Sequence, residues 1–147
     1  MEAAILIGLQ GAGKSTFYER RFAATHARVS LDLQKTRVRE LATLAELIQK
    51  RRDFVVDNTN PTSRERARYI APARAAGYRV VGYYFNTPIA DCLKRNQARA
   101  GKARIPPVGL YATRKRMQLP ALAEGFHQLF EVQPRGDDFE VREHLTV

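Results

Sequence analysis

Residues 3–16 read AAILIGLQGAGKST. The apolar run from Ala3 to Ile7 has the length and composition of a buried strand. It leads into Gly8-Leu9-Gln10-Gly11-Ala12-Gly13-Lys14-Ser15, which satisfies G-x-x-x-x-G-K-[ST] at every fixed position. The glycines let the backbone turn so that successive N–H groups face one anion at the start of the next helix. Lys14 can then reach the β- and γ-phosphates, and the Ser15 hydroxyl offers an oxygen to Mg²⁺. With a strand before it and the Phe17–Phe22 segment after it, the motif reads as a nucleoside-triphosphate site. Gly11, Ala12, Gly13, Lys14, Ser15 and Thr16 form its cradle.

Composition narrows what surrounds that site. A chain of 147 residues is most simply one domain, here 1–147, with a core that needs no staples. One cysteine, Cys92, excludes an internal disulfide and a cysteine zinc cluster. His26, His127 and His144 lack metal-ligand spacing. The N-terminal apolar run is too short for a membrane span and has no basic flank, so the expectation is a soluble, cytoplasmic protein without a membrane partner. The net charge of +10 favours polyanions, nucleic acid first.

Strand and helix patterns alternate along the chain, as in a parallel α/β sheet. The first helix is predicted to run to about Ala24. A second strand covers Arg28–Leu31, with Asp32 at its carboxyl end. An amphipathic helix then places Val38, Leu41, Leu44, Ala45 and Ile48 on one face. The third strand, Phe54–Val56, ends in Asp57. In the Asn58-Thr59-Asn60-Pro61 stretch, Asn60 is a candidate cap and Pro61 a first-turn residue, with Thr62 and Glu65 forming a capping box one register later. Gly77 closes that helix. A fourth strand spans Arg79–Phe85, a fifth His127–Val132, and Gln133–Gly136 reads as a turn. Residues 138–147 are an edge strand or a short tail.

Phosphoryl transfer needs positioning and charge neutralisation more than covalent help. Asp57, ending an apolar strand, is the natural partner of Ser15 at Mg²⁺. Asp32, on the same sheet edge, is the candidate to orient an acceptor hydroxyl and take its proton late. Its spacing is equally that of an N-cap for a segment starting at Leu33. Arg95 and Arg99 lie one helical turn apart, and an arginine fork binds phosphate oxygens bidentately. Gly101, Pro106 and Pro107 bracket a basic segment, around 95–107, that could hinge as a lid. A solvated basic face is the plain alternative there. Cys92 and the Tyr83-Tyr84-Phe85 run read as packing.

Several stretches resemble the polynucleotide 5′-hydroxyl kinases, most clearly the kinase module of the animal bifunctional enzymes. These are Val56-Asp57-Asn58-Thr59-Asn60-Pro61, Arg66-Ala67-Arg68-Tyr69, Ala73-Arg74-Ala75-Ala76-Gly77 and Leu119-Pro120-Ala121-Leu122-Ala123-Glu124-Gly125-Phe126. Lys94-Arg95-Asn96 with Arg99 is similar to the start of the viral enzyme's lid. The resemblance implies a three-layer P-loop kinase fold whose mainly parallel sheet has about five strands in the order 2-3-1-4-5, with a basic helical lid. It implies catalytic roles for Lys14, Asp32 and Arg99, nucleotide binding by Arg95 and Arg99, and a metal acid at Asp57. ATP or another triphosphate would be the donor, with Mg²⁺, and 5′-OH ends of DNA or RNA the acceptor. Asp32, Lys35 and Arg37 would face that acceptor. Lys35 stands where the viral enzyme has an arginine, so the bidentate fork is lost there. The phosphatase motif D-x-D-G-T is absent, which implies no 3′-phosphatase activity from this chain, either as a free-standing kinase or as a module of a larger end-repair protein. Which end-repair partners it has, such as a phosphatase or ligase, is left open. By analogy with small P-loop kinases, the adenine would lie between Arg95 and the 133–136 turn.

Two other classes fit the P-loop. A kinase for a small metabolite or antibiotic would need a closed acceptor pocket and no +10 surface. A nucleotide switch or nucleic-acid-binding module would bind without transfer, although the guanine-reading [NT]-K-x-D motif of GTPase switches is missing.

Overall fold

The computed structural model describes residues 1–101 and 104–144. Six strands form one sheet in the order β2-β3-β1-β4-β5-β6. β1 (Glu2–Ile7) is central, flanked in parallel by β3 (Phe54–Asp57) and β4 (Arg79–Phe85). β2 (Ala27–Val29) pairs in parallel outside β3, and β5 (Gln128–Arg135) outside β4. β6 (Asp138–Glu143) is antiparallel to β5. The expected order holds for five strands; the sixth corrects their number. Asp138 to Glu143 alternates polar and apolar residues, and Phe139 and Val141 pack inward against the core as an edge strand should.

Alternation along β1 sends its side chains to two cores. Ala3, Ile5 and Ile7 join one cluster, which Leu44, Tyr69, Ile70 and Ala73 cover from α3 (Arg37–Gln49) and α4 (Ser63–Ala75). Ala4 and Leu6 join the other, with Phe17, Cys92 and Leu110 from α1 (Lys14–Arg21), α5 (Ile89–Gln97) and α6 (Pro107–Arg116). Both faces of a parallel sheet are therefore sheathed, giving three layers. Cys92 is fully buried, and burial pushes its thiol up, so it packs rather than reacts.

Several boundaries differ from expectation. α1 ends at Arg21, because Phe22 leaves helical geometry to pack at the edge of the core. β2 stops at Val29; Ser30 caps α2 (Leu31–Gln34) by accepting from the Leu33 N–H, so Asp32 lies within the first turn and is not the cap. Thr62, not Asn60, caps α4 and accepts from the Glu65 N–H at 3.2 Å. Pro61 precedes that cap. The Asn60 amide instead donates to the Leu6 carbonyl at 2.7 Å, tying the stretch after β3 to the end of β1. β5 continues through Arg135, so the hairpin turn falls at Gly136 and Asp137 rather than over 133–136.

The Leu119–Phe126 stretch is a structural clamp. The fully buried Arg66 guanidinium makes a forked pair with Glu124, at 2.7 and 3.0 Å, and also donates to the Asn60 carbonyl at 2.9 Å. Removing one partner leaves a buried charge uncompensated. Glu124→Ala is expected to cost about 3–5 kcal/mol in urea unfolding, whereas replacing both residues with apolar ones should recover much of the loss.

Candidate functional site

Gly13 is the N-terminal boundary of α1, and no side chain caps the first turn, so its N–H groups remain for an anion. Two glycines here are obligatory. Gly11 (φ +77°) would place a Cβ 2.5 Å from the Cys92 carbonyl oxygen, and Gly13 (φ +103°) would place one 2.7 Å from an Arg95 η-nitrogen. The loop is thus pressed against α5, and Arg95 lies directly over it.

A cavity of about 370 Å³ opens above the loop. Gly11, Gly13, Lys14, Ser15, Thr16, Arg95 and Arg99 line one side, and Pro134 and Gly136–Phe139 the other. The expected cradle and both expected arginines therefore converge on one space of ligand size. Arg20, Asp137, Asp138 and Phe139 also line it, and the sequence reading missed them. Thr16 and Arg20 are spaced i, i+4 on α1, which was the available signal for Arg20. Asp137 to Phe139 became visible only once β6 was paired with β5. Ala12 is buried beside the loop.

Lys14 is folded back against its own loop, donating to the Gly8 and Leu9 carbonyls at 2.8 and 2.6 Å. Burial lowers its pKa from 10.5 to about 8; Asp57, Cys92 and Asp32 oppose the shift and Arg99 adds to it. A bound triphosphate would hold the proton on. Above pH 8 binding must then take up a proton, so affinity should weaken as pH rises through 8, by up to tenfold per unit. Titrating a fluorescent triphosphate analogue from pH 7 to 9.5 checks this, and a Lys14→Met variant should show no such slope.

Ser15 Oγ donates to Asp57 Oδ2 at 3.1 Å, and Asp57 is buried. Arg28, which the sequence reading did not single out, donates to both: its Nε to Asp57 Oδ2 at 3.0 Å and an η-nitrogen to Ser15 Oγ at 3.1 Å. The guanidinium supplies positive charge where a cation would be wanted. Two adjacent hard oxygens suit Mg²⁺, which keeps waters and substrate phosphates as its other ligands. Among the described residues no cluster of three or more His, Cys, Asp or Glu side chains could hold a metal by itself.

Asp32, Lys35 and Arg37 are outside the cavity's lining. Asp32 is exposed in the first turn of α2, close enough for its charge to act on Lys14. Lys35 follows α2 with φ +76° and is exposed. One Arg37 η-nitrogen donates to Glu40 and to Tyr69, at 2.6 and 2.5 Å. From the last turn of α5, the buried Asn96 amide binds Ile105 in both senses, as donor to its carbonyl and acceptor from its N–H, closing the base of the 95–107 segment. Lys102 and Ala103, within the expected lid, lie outside the described residues. Among the described residues no helix is long and apolar enough to cross a membrane.

The sequence profile of the AAA domain family matches residues 4–120. The bifunctional polynucleotide phosphatase/kinase of Schizosaccharomyces pombe is 27% identical over 135 residues. That match covers 89% of this chain and 33% of that protein, so the chain spans about a third of its curated relative's length. A crystal structure of a Chloroflexus aurantiacus j-10-fl protein superposes with a TM-score of 0.69 at 16% identity, covering 90% of this chain and 84% of that one. A gluconokinase from Sinorhizobium meliloti 1021 gives 0.61 at 17% identity, covering 90% and 82%. At such identities these two structures speak for the fold alone.

Proposed function

Since the chain belongs to the AAA domain family and has a P-loop kinase fold, we propose that it is a polynucleotide 5′-hydroxyl kinase. It transfers the γ-phosphate of ATP, or another nucleoside triphosphate, to a 5′-OH end of DNA or RNA in end repair. The observation that carries the reading is one cavity lined by the loop glycines, Lys14, Ser15, Arg95 and Arg99, with Asp57 hydrogen-bonded to Ser15 at its edge. The fission-yeast relative and the +10 charge support a nucleic-acid acceptor over a metabolite.

In this reading the loop amides and Lys14 hold the triphosphate, while Arg95 and Arg99 cover it from the 95–107 lid. Ser15 and Asp57 would hold Mg²⁺, which when bound neutralises phosphate charge. Asp32 approaches from the open side and orients the acceptor hydroxyl. An aspartate titrates near ~4, far below an alcohol, so it accepts the proton late, as bond formation makes the hydroxyl acidic. Lys35 and Arg37 flank the incoming strand. The whole of 1–147 acts as one kinase unit.

The test is phosphate transfer from γ-labelled ATP to matched ribo- and deoxyribo-oligonucleotides with 5′-OH or 5′-phosphate ends, beside a panel of small alcohols. Only the 5′-OH oligonucleotides should be labelled, and their KM should rise with salt as phosphate contacts release counterions. Labelling confined to a small alcohol would replace this reading with metabolite kinase.

A further inference from the structure

Among the described residues no hydrogen bond or ion pair involves the Asp32 carboxylate, so its aim depends on how α2 is held. α2 is only four residues long and none of them is buried, so packing alone does not fix it. The Ser30 cap and the bonds of Gln34 with Ser30 and Arg28 hold the turn to its own strand. A chain of hydrogen bonds from the residue after Asp57 ties it to the rest of the domain. The Leu31 N–H donates to Asn58 Oδ1 at 2.9 Å. Asn58 Nδ2 donates to Glu40 Oε2 at 2.7 Å and to the Tyr69 oxygen at 3.1 Å. The Tyr69 hydroxyl donates to Glu40 Oε1 at 2.7 Å, and Arg37 donates to both.

Every group in this network has one compatible orientation. Flipping the Asn58 amide would set its NH₂ against the Leu31 N–H and its oxygen against a carboxylate. Tyr69 stays a neutral donor, because burial, then its bond to Glu40, pushes it up to about 12. Glu40 and Tyr69 are fully buried, and Arg37 supplies the countercharge. A buried carboxylate with every oxygen committed is a rigid anchor. It lies on α3 and α4, outside the triphosphate cavity, so nucleotide binding does not account for it.

We propose that Asn58, anchored by Glu40 and Tyr69, is a positioning residue that sets the Asp32 carboxylate relative to Asp57, the residue that immediately precedes it in the chain. The acceptor-side and metal-side acids are thereby held in one register through a single side chain. This rests on the kinase reading above, in which Asp32 faces the acceptor. A misplacement on the order of 1 Å costs about a hundredfold in a reaction that depends on positioning.

The experiment combines kinetics and amide exchange on Asn58→Ala. kcat for 5′-OH oligonucleotide phosphorylation should fall about 10- to 100-fold while the KM for ATP stays within about twofold. Leu31 and Leu33 amides should exchange at least about tenfold faster, with β1 and β3 amides changed no more than the modest fall in the thermal midpoint that follows from taking one donor from the buried Glu40. A role in general stability alone would instead loosen β1 and β3 as much as Leu31 and Leu33. kcat within twofold of the unmodified chain, or unchanged exchange at Leu31, overturns the proposal. Should Asn58→Ala not fold, Glu40→Gln keeps the volume while disturbing the anchor, and the same split is expected. If the unmodified chain labels no 5′-OH oligonucleotide, the function reading fails by itself. The exchange measurement then still decides whether Asn58 holds the Asp32 turn.

Discussion

Replacing Lys14 with alanine is expected to reduce kcat/KM for phosphoryl transfer at least about a hundredfold without destabilising the protein. Loss of one preorganised charge at a migrating phosphoryl group costs on the order of 10²–10³ in rate. The second half follows from the same burial. In the free protein the Lys14 ammonium is out of water, and desolvation is the largest influence on its pKa, bringing it to about 8. That lowering disfavours keeping the charge buried at neutral pH, by ~3 kcal/mol. Its two hydrogen bonds to loop carbonyls, at 2.8 and 2.6 Å, offset part of that cost. The thermal midpoint of Lys14→Ala at pH 7 should therefore match or exceed that of the unmodified chain. Because the unfolded lysine keeps its proton to about 10.5, the unmodified chain should gain stability between pH 8 and 10.5, and the difference from the variant should shrink across that window. A variant that is inactive because it is unfolded would show the opposite stability change. A stable variant with near-normal transfer would remove Lys14 from the reaction.

What could be read from the chain without coordinates follows from how local each signal is. The P-loop is a contiguous pattern whose backbone requirements dictate its glycines, and the contacts of Gly11 and Gly13 with α5 agree with that reading. β1 and β3 were legible because a strand buried on both faces is an unbroken apolar run, and Asp57 is marked by ending one. Arg28 was not legible. It sits in the middle of a three-residue strand, and its meaning comes from Ser15 and Asp57, which are 13 and 29 positions away. The network through Glu40 is hidden for a related reason. On a helical wheel a glutamate in the first turn of α3 looks like a favourable dipole partner at the surface, yet here it is fully buried. Only its tertiary partners make such burial tolerable. The resemblance located Asn58 within a shared stretch, but not the bond that gives it work to do.

Asp32→Ala should abolish transfer while leaving triphosphate binding intact, and the two measurements together separate an acceptor-side acid from a nucleotide ligand. Asp32 is exposed and does not line the cavity, so the variant should bind a fluorescent triphosphate analogue within about twofold of normal. Removing a group that orients and deprotonates the acceptor costs on the order of 10²–10⁴ in kcat. Asp32→Asn sharpens the distinction. The amide keeps the size and can still orient a hydroxyl, but it cannot accept a proton in the same way. If orientation dominates, as a loose transition state favours, Asn should retain more activity than Ala. If proton acceptance dominates, the two should be equally inactive. Neither substitution should lower the thermal midpoint, since the carboxylate has no partner among the described residues and α2 is capped by Ser30. Transfer that survives in both variants would mean that the acceptor is activated from elsewhere on the sheet edge. It would also detach the Asn58 network from catalysis, because there would be nothing for that network to aim.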